Sequence, residues 1–139
     1  ALLGPTLRDI VAQGREVTLS QYLQALDARR VLAATMARFH QTYDLLLTPT
    51  VAVPAFPAER WQPESFEKYG EPRAWVPFGY PFNLTQQPAA SVPCGFTSEG
   101  LPVGMQIVGR RFEDALVLRA ARAFEAATDW AQRRPPLFS

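Results

Sequence analysis

The sequence of 139 residues contains one cysteine, one histidine and one lysine, Lys68. A single cysteine, Cys94, excludes an internal disulfide and any metal site that needs several cysteine ligands. A single histidine, His40, excludes metal sites built from paired histidines. We therefore expect no metal and no cofactor, and chemistry that requires an amine has one candidate side chain.

The chain also has little net charge and no long apolar run. Its 14 Lys and Arg nearly balance 13 Asp and Glu, which leaves a formal net charge of +1. Such a balance provides no strong field for nucleic acid or an anionic membrane. No apolar run approaches the ~20 residues of a transmembrane helix, and no signal peptide is visible. We expect a cytoplasmic protein that binds neither nucleic acid nor a membrane.

What the sequence does contain is apolar residues, 47% of the total, and 13 prolines. The apolar fraction is sufficient for a folded core and argues against disorder. Proline occurs at about twice its average frequency of ~5%, and ten of the prolines lie between Pro49 and Pro102. The chain begins with Ala1 inside an apolar stretch, so we expect a piece of a longer protein.

The clearest element predicted from the pattern is a helix over residues 19–41. Thr18 followed by Gln21 three residues later fits a capping box at its start. From Leu19 onward apolar residues recur mostly at spacings of three and four, which is typical of one buried helical face.

A short strand is predicted directly after this helix, at residues 44–48. Its three consecutive leucines are bounded by polar residues and Pro49, a pattern typical of a strand buried on both faces. A helix that leads into such a strand indicates an α/β fold with a parallel or mixed β-sheet flanked by helices.

Residues 51–82 show no sustained period, because prolines interrupt them throughout. A disordered linker is poor in aromatic residues, and a loop of this length is usually functional or disordered. The aromatic content therefore predicts an ordered loop with a functional role. The aromatic residues considered are Trp61, Phe66, Tyr69, Trp75, Phe78 and Tyr80.

Two further elements complete a single unit over residues 1–139. A β-hairpin is predicted at about residues 89–109, with Gly100 supplying a positive φ in its turn. A last helix is predicted at about residues 113–128, where Glu113 and Asp114 occupy the positive end of the helix dipole.

No convincing active site follows from these residues alone. Cys94 with His40 as a base could form a nucleophilic pair, but a small structural cysteine at a strand end is the favoured interpretation. Lys68 fits a solvated surface residue better than a catalytic amine. Three acidic residues could act as acid and base or bind a metal, although prolines on both sides leave little room for the helix that would align them: Glu64, Glu67 and Glu71.

Three runs resemble motifs of the amidase signature family. They are YDLLLTPT at residues 43–50, PFNLT followed by PAASVPCG at residues 81–95, and GLPVGMQIVG at residues 100–109. Their order and spacing are similar to those of the family, and the resemblance extends from the Thr18 helix to Pro136. The fold that it implies is the C-terminal part of an amidase-signature α/β/α sandwich.

The resemblance also implies a function. The family acts on carboxamides through a serine nucleophile, a second serine joined by a cis peptide and a lysine, all upstream of the matched motifs. This chain contains no such set, so no catalytic residue is assigned. The resemblance implies a C-terminal segment that completes an amidase core, walls the acyl pocket and is inactive without the missing N-terminal catalytic part. The alternative is a non-enzymatic truncated or stand-alone domain that self-associates.

Four residues are the candidates for substrate contact under this resemblance: Trp75, Phe78, Tyr80 and Asn83. The amidotransferase branch of the family has an acidic residue for glutamine in this region, whereas residues 75–79 here are apolar and aromatic. The resemblance therefore implies an aryl or aliphatic amide as substrate. The rings could instead pin the loop, and Thr48, Thr50, Asn83 and Thr85 could hydrogen-bond its backbone.

One position departs from the family pattern. Gln86 stands where the family often has glycine, and glutamine tolerates a positive φ poorly. The departure therefore puts in doubt a positive φ at residue 86, and the sequence leaves open whether Gln86 perturbs the turn.

Overall fold

A computed structural model describes residues 4–70 and 74–133. The helices and strands follow one another as α1 Pro5–Arg15, α2 Leu19–Phe39, β1 Leu45–Pro49, α3 Tyr80–Thr85, β2 Ala89–Phe96, β3 Pro102–Gly109 and α4 Asp114–Ala127. Two short 3₁₀ helices, Glu64–Tyr69 and Trp130–Gln132, lie between and after them.

The three strands form one sheet in the order β1-β3-β2, with β3 in the centre. Both neighbouring pairs are antiparallel: Leu46 lies opposite Val108, and Ser91 lies opposite Gln106. The predicted α/β fold, a sheet flanked by helices, is confirmed. Within the described ranges the sheet has only antiparallel pairs, so the parallel pairing expected of a mixed sheet is not found there. The reason is that β2 and β3 form a hairpin and β1 joins the other side of β3.

The core lies where β3 meets the helices. Ile107 and Val108 are 2% and 0% exposed, and Val117 of α4 is equally buried. A Cβ atom at Gly109 would lie only 2.6 Å from Val117 Cγ2. The absence of a side chain at Gly109 is therefore what allows α4 to approach the end of the central strand.

Strand β1 is less buried than the leucine run predicts. Leu47 is 57% exposed, so the expectation of a strand buried on both faces is wrong at this residue. The physical reason is position: β1 is an edge strand, whereas α4 packs against β2 and β3.

Helix α2 begins with the predicted capping box. Thr18 accepts a hydrogen bond from the backbone of Gln21, and the Gln21 side chain accepts one from the backbone of Thr18. The helix ends at Phe39, two residues before the predicted end, because His40 is its C-cap.

A buried polar network joins the end of α2 to the end of β3. Gln87 Nε2 lies 2.8 Å from both Gly109 O and His40 Nε2. Since the carbonyl can only accept, the amide nitrogen donates to both atoms. His40 therefore carries its hydrogen on Nδ1, which lies 3.0 Å from Tyr43 O. Thr85 Oγ1 donates to Gln87 Oε1 at 2.8 Å and completes the network.

The loop predicted over residues 51–82 is more structured at its end than that prediction. Residues 80–82, assigned to the loop from the sequence, form the first turn of α3. Gln86 follows this helix with φ 58° and ψ 41°, so the left-handed backbone that the sequence had put in doubt is present. Its Oε1 accepts a hydrogen bond of 2.9 Å from Arg111, and Gly100 has the predicted positive φ of 81°.

The chain exposes a large surface for its mass. Its accessible area is 10546 Å², whereas the scaling of area with mass gives about 7,200 Å² for a compact monomer of this size. None of the helices within residues 4–70 and 74–133 is long and apolar enough to cross a membrane.

Candidate functional site

An apolar cleft of about 460 Å³ opens at the end of β1 and the start of β3. One wall is the backbone that leaves β1, residues 51–56, and the other includes Trp75 and the start of β3. Within residues 4–70 and 74–133, the ten residues that line the cleft include no charged side chain; they are residues 51–56, Trp75, Pro102, Val103 and Gly104. A pocket of this size and lining suits an uncharged, largely apolar group.

Trp75 is held in this cleft by two contacts. Its ring packs edge-on against Phe56, with the ring centroids 5.0 Å apart and the planes at 88°. Its carbonyl oxygen accepts a hydrogen bond of 3.2 Å from Ala52 N. The ring and the backbone are therefore both tied to the residues that follow β1.

Two hydroxyl groups lie beside Gly104, which lines the cleft. Thr50 Oγ1 and Ser91 Oγ are 2.7 Å apart and share a hydrogen bond across the sheet. A Cβ atom at Gly104 would lie 2.8 Å from the first and 2.9 Å from the second. Glycine is required here because any side chain would collide with the hydroxyl pair.

The predicted site residues occupy different positions. Trp75 lines the cleft, whereas the carbonyl of Phe78 accepts a hydrogen bond of 2.9 Å from Gln106 Nε2 on β3. Tyr80 is the first residue of α3 and is 45% exposed, and Asn83 is exposed in the same helix. The structure thus brings one of the four residues into this cleft.

Sequence reasoning missed the other residues of the cleft. The run of small and apolar residues at 51–56 has no period to identify it, and the pattern around Gly104 indicates only a strand. A usable signal is present: Thr50, Ser91 and Gly104 each lie in one of the three family-like runs.

The structure does not form the nucleophilic pair of Cys94 and His40 that the sequence left open. His40 is 2% exposed and both its ring nitrogens have partners in the network with Gln87. Cys94 lies in β2 and its Sγ donates to Val103 O at 3.5 Å. The two side chains have separate partners, so no Cys–His pair forms.

The remaining candidate residues also have structural surroundings. Glu64 and Glu67 both lie near Arg60 Nη1, at 3.5 and 3.6 Å, and Glu71 lies outside the described residues. Lys68 Nζ lies 5.1 Å from the centroid of the Tyr69 ring. In the part of the chain that the structure describes, no group of three or more acidic, histidine or cysteine residues could hold a metal.

The chain matches one known protein family over most of its length. The model of the amidase family matches residues 2–118. The chain belongs to the amidase signature family. This confirms the resemblance seen in the three sequence runs.

Curated relatives within the family match at similar levels. An acylamidase of Rhodococcus erythropolis is 42% identical over 104 residues, which are 73% of this chain and 22% of that protein. A glutamyl-tRNA(Gln) amidotransferase subunit from Myxococcus xanthus is 41% identical over 121 residues, 85% of this chain and 24% of that protein.

Solved structures agree with the fold. A 6-aminohexanoate cyclic dimer hydrolase superposes with a TM-score of 0.76 at 30% identity, over 94% of this chain and 29% of that one. A bacterial aryl acylamidase gives the same TM-score and identity over 96% of this chain and 29% of that one. The amidase chain described here thus spans about a quarter of the length of the relatives that it matches.

Proposed function

We propose that this chain is the C-terminal segment of a carboxamide hydrolase, in which it completes the core and forms a wall of the acyl pocket. The catalytic serines and lysine belong to a part of the amidase that this sequence does not contain. A small-molecule amide is then the substrate of the whole enzyme. The cytoplasmic location expected from the sequence stays a prediction.

The observation that carries the proposal is the large accessible surface of this chain, which belongs to the amidase signature family. The accessible surface exceeds the compact-monomer value by roughly 3,300 Å². A standard protein–protein interface covers only about 800 Å² on each partner. The excess is therefore the size expected for a segment that packs into a larger domain, and the relatives have the additional length to supply that domain.

The cleft supports the second half of the proposal. Its lining is apolar and includes Trp75, the candidate that the sequence placed in the acyl pocket. Phe78, Tyr80 and Asn83 follow within the next eight residues, so we keep them as substrate-contact candidates in the assembled enzyme. Among the described residues the cleft lining has no carboxylate, which favours an aryl or aliphatic acyl group over glutamine.

The absence of a catalytic centre can be tested on the chain itself. We expect the purified 139-residue protein to hydrolyse neither an anilide nor a primary amide above the buffer rate. Cys94→Ala serves as the control for adventitious thiol chemistry. Turnover that survives this substitution would show that the chain contains a catalytic centre of its own and would sink the proposal.

A second candidate function is a stand-alone domain that self-associates. It is favoured by an apolar stripe on α1 and the start of α2 in which every member is at least 40% exposed. The members of this stripe are Leu7, Ile10, Val11, Leu19, Tyr22 and Leu23. The two functions differ in what covers the stripe: the rest of an amidase or a second copy of the chain.

A further inference from the structure

Gln106 is a buried amide in the middle of the sheet. The side chain is 8% exposed and belongs to the central strand, opposite Thr48 on β1 and Ser91 on β2. A polar side chain in this position is costly unless its hydrogen-bonding groups have partners. Its contacts therefore indicate what it contributes.

Both hydrogens of the amide are used, and their acceptors fix its orientation. Gln106 Nε2 donates to Thr48 Oγ1 at 3.0 Å and to Phe78 O at 2.9 Å. The Phe78 carbonyl can only accept, so the amide nitrogen must face it. The Thr48 hydroxyl directs its own hydrogen to Pro49 O at 3.0 Å, which leaves its oxygen free to accept from Gln106.

This arrangement attaches residues 74–80 to the central strand. A first contact, the backbone hydrogen bond between Ala52 and Trp75, ties them only to the loop that follows β1. The second lies three residues later, at Phe78, and the donor is a side chain rather than backbone. The position of residues 74–80 relative to β3 therefore depends on the identity of residue 106.

We propose that Gln106 is a positioning residue that sets the width of the Trp75 cleft and thereby selects the size of the group bound there. This inference rests on the proposed function, in which the cleft receives the acyl group of an amide. Gln106 acts through Phe78 and the segment that carries Trp75, not by touching the substrate.

The test compares two probes of different size on the 139-residue chain. Acetanilide and octananilide are titrated while amide NMR shifts are followed, and the ratio of their dissociation constants is recorded. Gln106→Glu and Gln106→Met both remove the N–H donors, one with a charge and one without. We expect both to change the ratio about tenfold, the scale on which apolar pockets discriminate by size.

A matched control separates positioning from general destabilisation. Gln87→Glu makes the same substitution at a second amide, which is half-buried and contacts Gly109 and His40 rather than the cleft. We expect it to lower the melting temperature and leave the ratio unchanged. Hydrogen exchange supplies the second readout: Gln106→Met should speed exchange at residues 74–80 selectively.

The ratio of dissociation constants and the exchange pattern test the role of Gln106. An unchanged ratio in the Gln106 variants, or a change in the Glu variant alone, would overturn the size-selection role. If the parent chain binds neither probe, the single wall that it supplies does not hold an amide without the rest of the enzyme, and the ratio is then measured only in the assembled enzyme. In that case hydrogen exchange in Gln106→Met still tests the role of Gln106. Loss of amide protection only at residues 74–80 supports positioning, and uniform loss of protection along the chain contradicts it.

Discussion

At the scale of single residues, the close approach of three chain segments at Gly104 is the strictest requirement of the site. A methyl group there would lie 2.8 Å from Thr50 Oγ1 and 2.9 Å from Ser91 Oγ, and so displace the hydroxyl pair. Thr50 Cβ also lies within 3.3 Å, so the added methyl must displace side-chain atoms or backbone and disturb the hydrogen bond between the two hydroxyls.

Gly104→Ala should therefore lower the free energy of unfolding by about 1–3 kcal/mol, the usual cost of overpacking. Urea denaturation measures it. Gly14→Ala is the control, because nothing lies within 4 Å of the added methyl and the site is helical. A Gly104→Ala protein as stable as the parent would show that the hydroxyl pair can move freely.

At Gln86, glycine is expected to give a higher free energy of unfolding than alanine, by a margin set by the backbone conformation and not, as at Gly104, by close contacts. Its left-handed backbone disfavours side chains with a Cβ, and its hydrogen bond with Arg111 is exposed. Gln86→Gly should raise the free energy of unfolding by about 0.5–1 kcal/mol relative to Gln86→Ala. Thermal melts of the two variants decide the matter, and an Ala variant at least as stable as the Gly variant would contradict the assigned conformation.

At the scale of elements, the central strand should dominate stability. Ile107 is 2% exposed in β3, so Ile107→Ala should cost about 2–5 kcal/mol by leaving a cavity. Leu118→Ala in α4 removes a similar apolar side chain that is 65% exposed. Leu118→Ala should lower the free energy of unfolding by less than about 1 kcal/mol, since substitutions at exposed positions have small effects. Equal melting temperatures for both variants and the parent would show that β3 is not the core strand.

The elements also show what the sequence could predict. Helix α2 is predicted almost to its ends because its capping box and apolar spacing are local signals. The exposure of Leu47 is not, since a leucine run does not reveal that its strand lies at a sheet edge. Local patterns indicate the cleft only through Trp75, because residues 51–56 lie in a loop without a period and come together with Gly104 only through the pairing of β1 with β3.

At the scale of the whole molecule, the exposed stripe on α1 and α2 governs behaviour in solution. An isolated chain with this much apolar surface should self-associate. Sedimentation equilibrium should show species larger than a monomer at high concentration. The double variant Leu7→Ser with Ile10→Ser should shift the distribution toward monomer, while Gln13→Ser on the same helix should not. A compact parent monomer at every concentration would contradict this expectation.

The central claim concerns the whole enzyme: this chain can serve as the amidase segment that completes the core and walls the pocket. A chimera tests it, with the aligned 104 residues of the Rhodococcus erythropolis acylamidase replaced by those of this chain. The control carries only the junction changes in the acylamidase itself.

The decisive measurement is acylamidase turnover by this chimera across a series of acyl chain lengths. We predict turnover, with a size preference that differs from that of the control and moves toward bulkier acyl groups on Trp75→Ala, because apolar walls select by shape. A chimera that folds cooperatively and is monodisperse, yet shows no turnover on any member of the series while the control is active, would contradict the account.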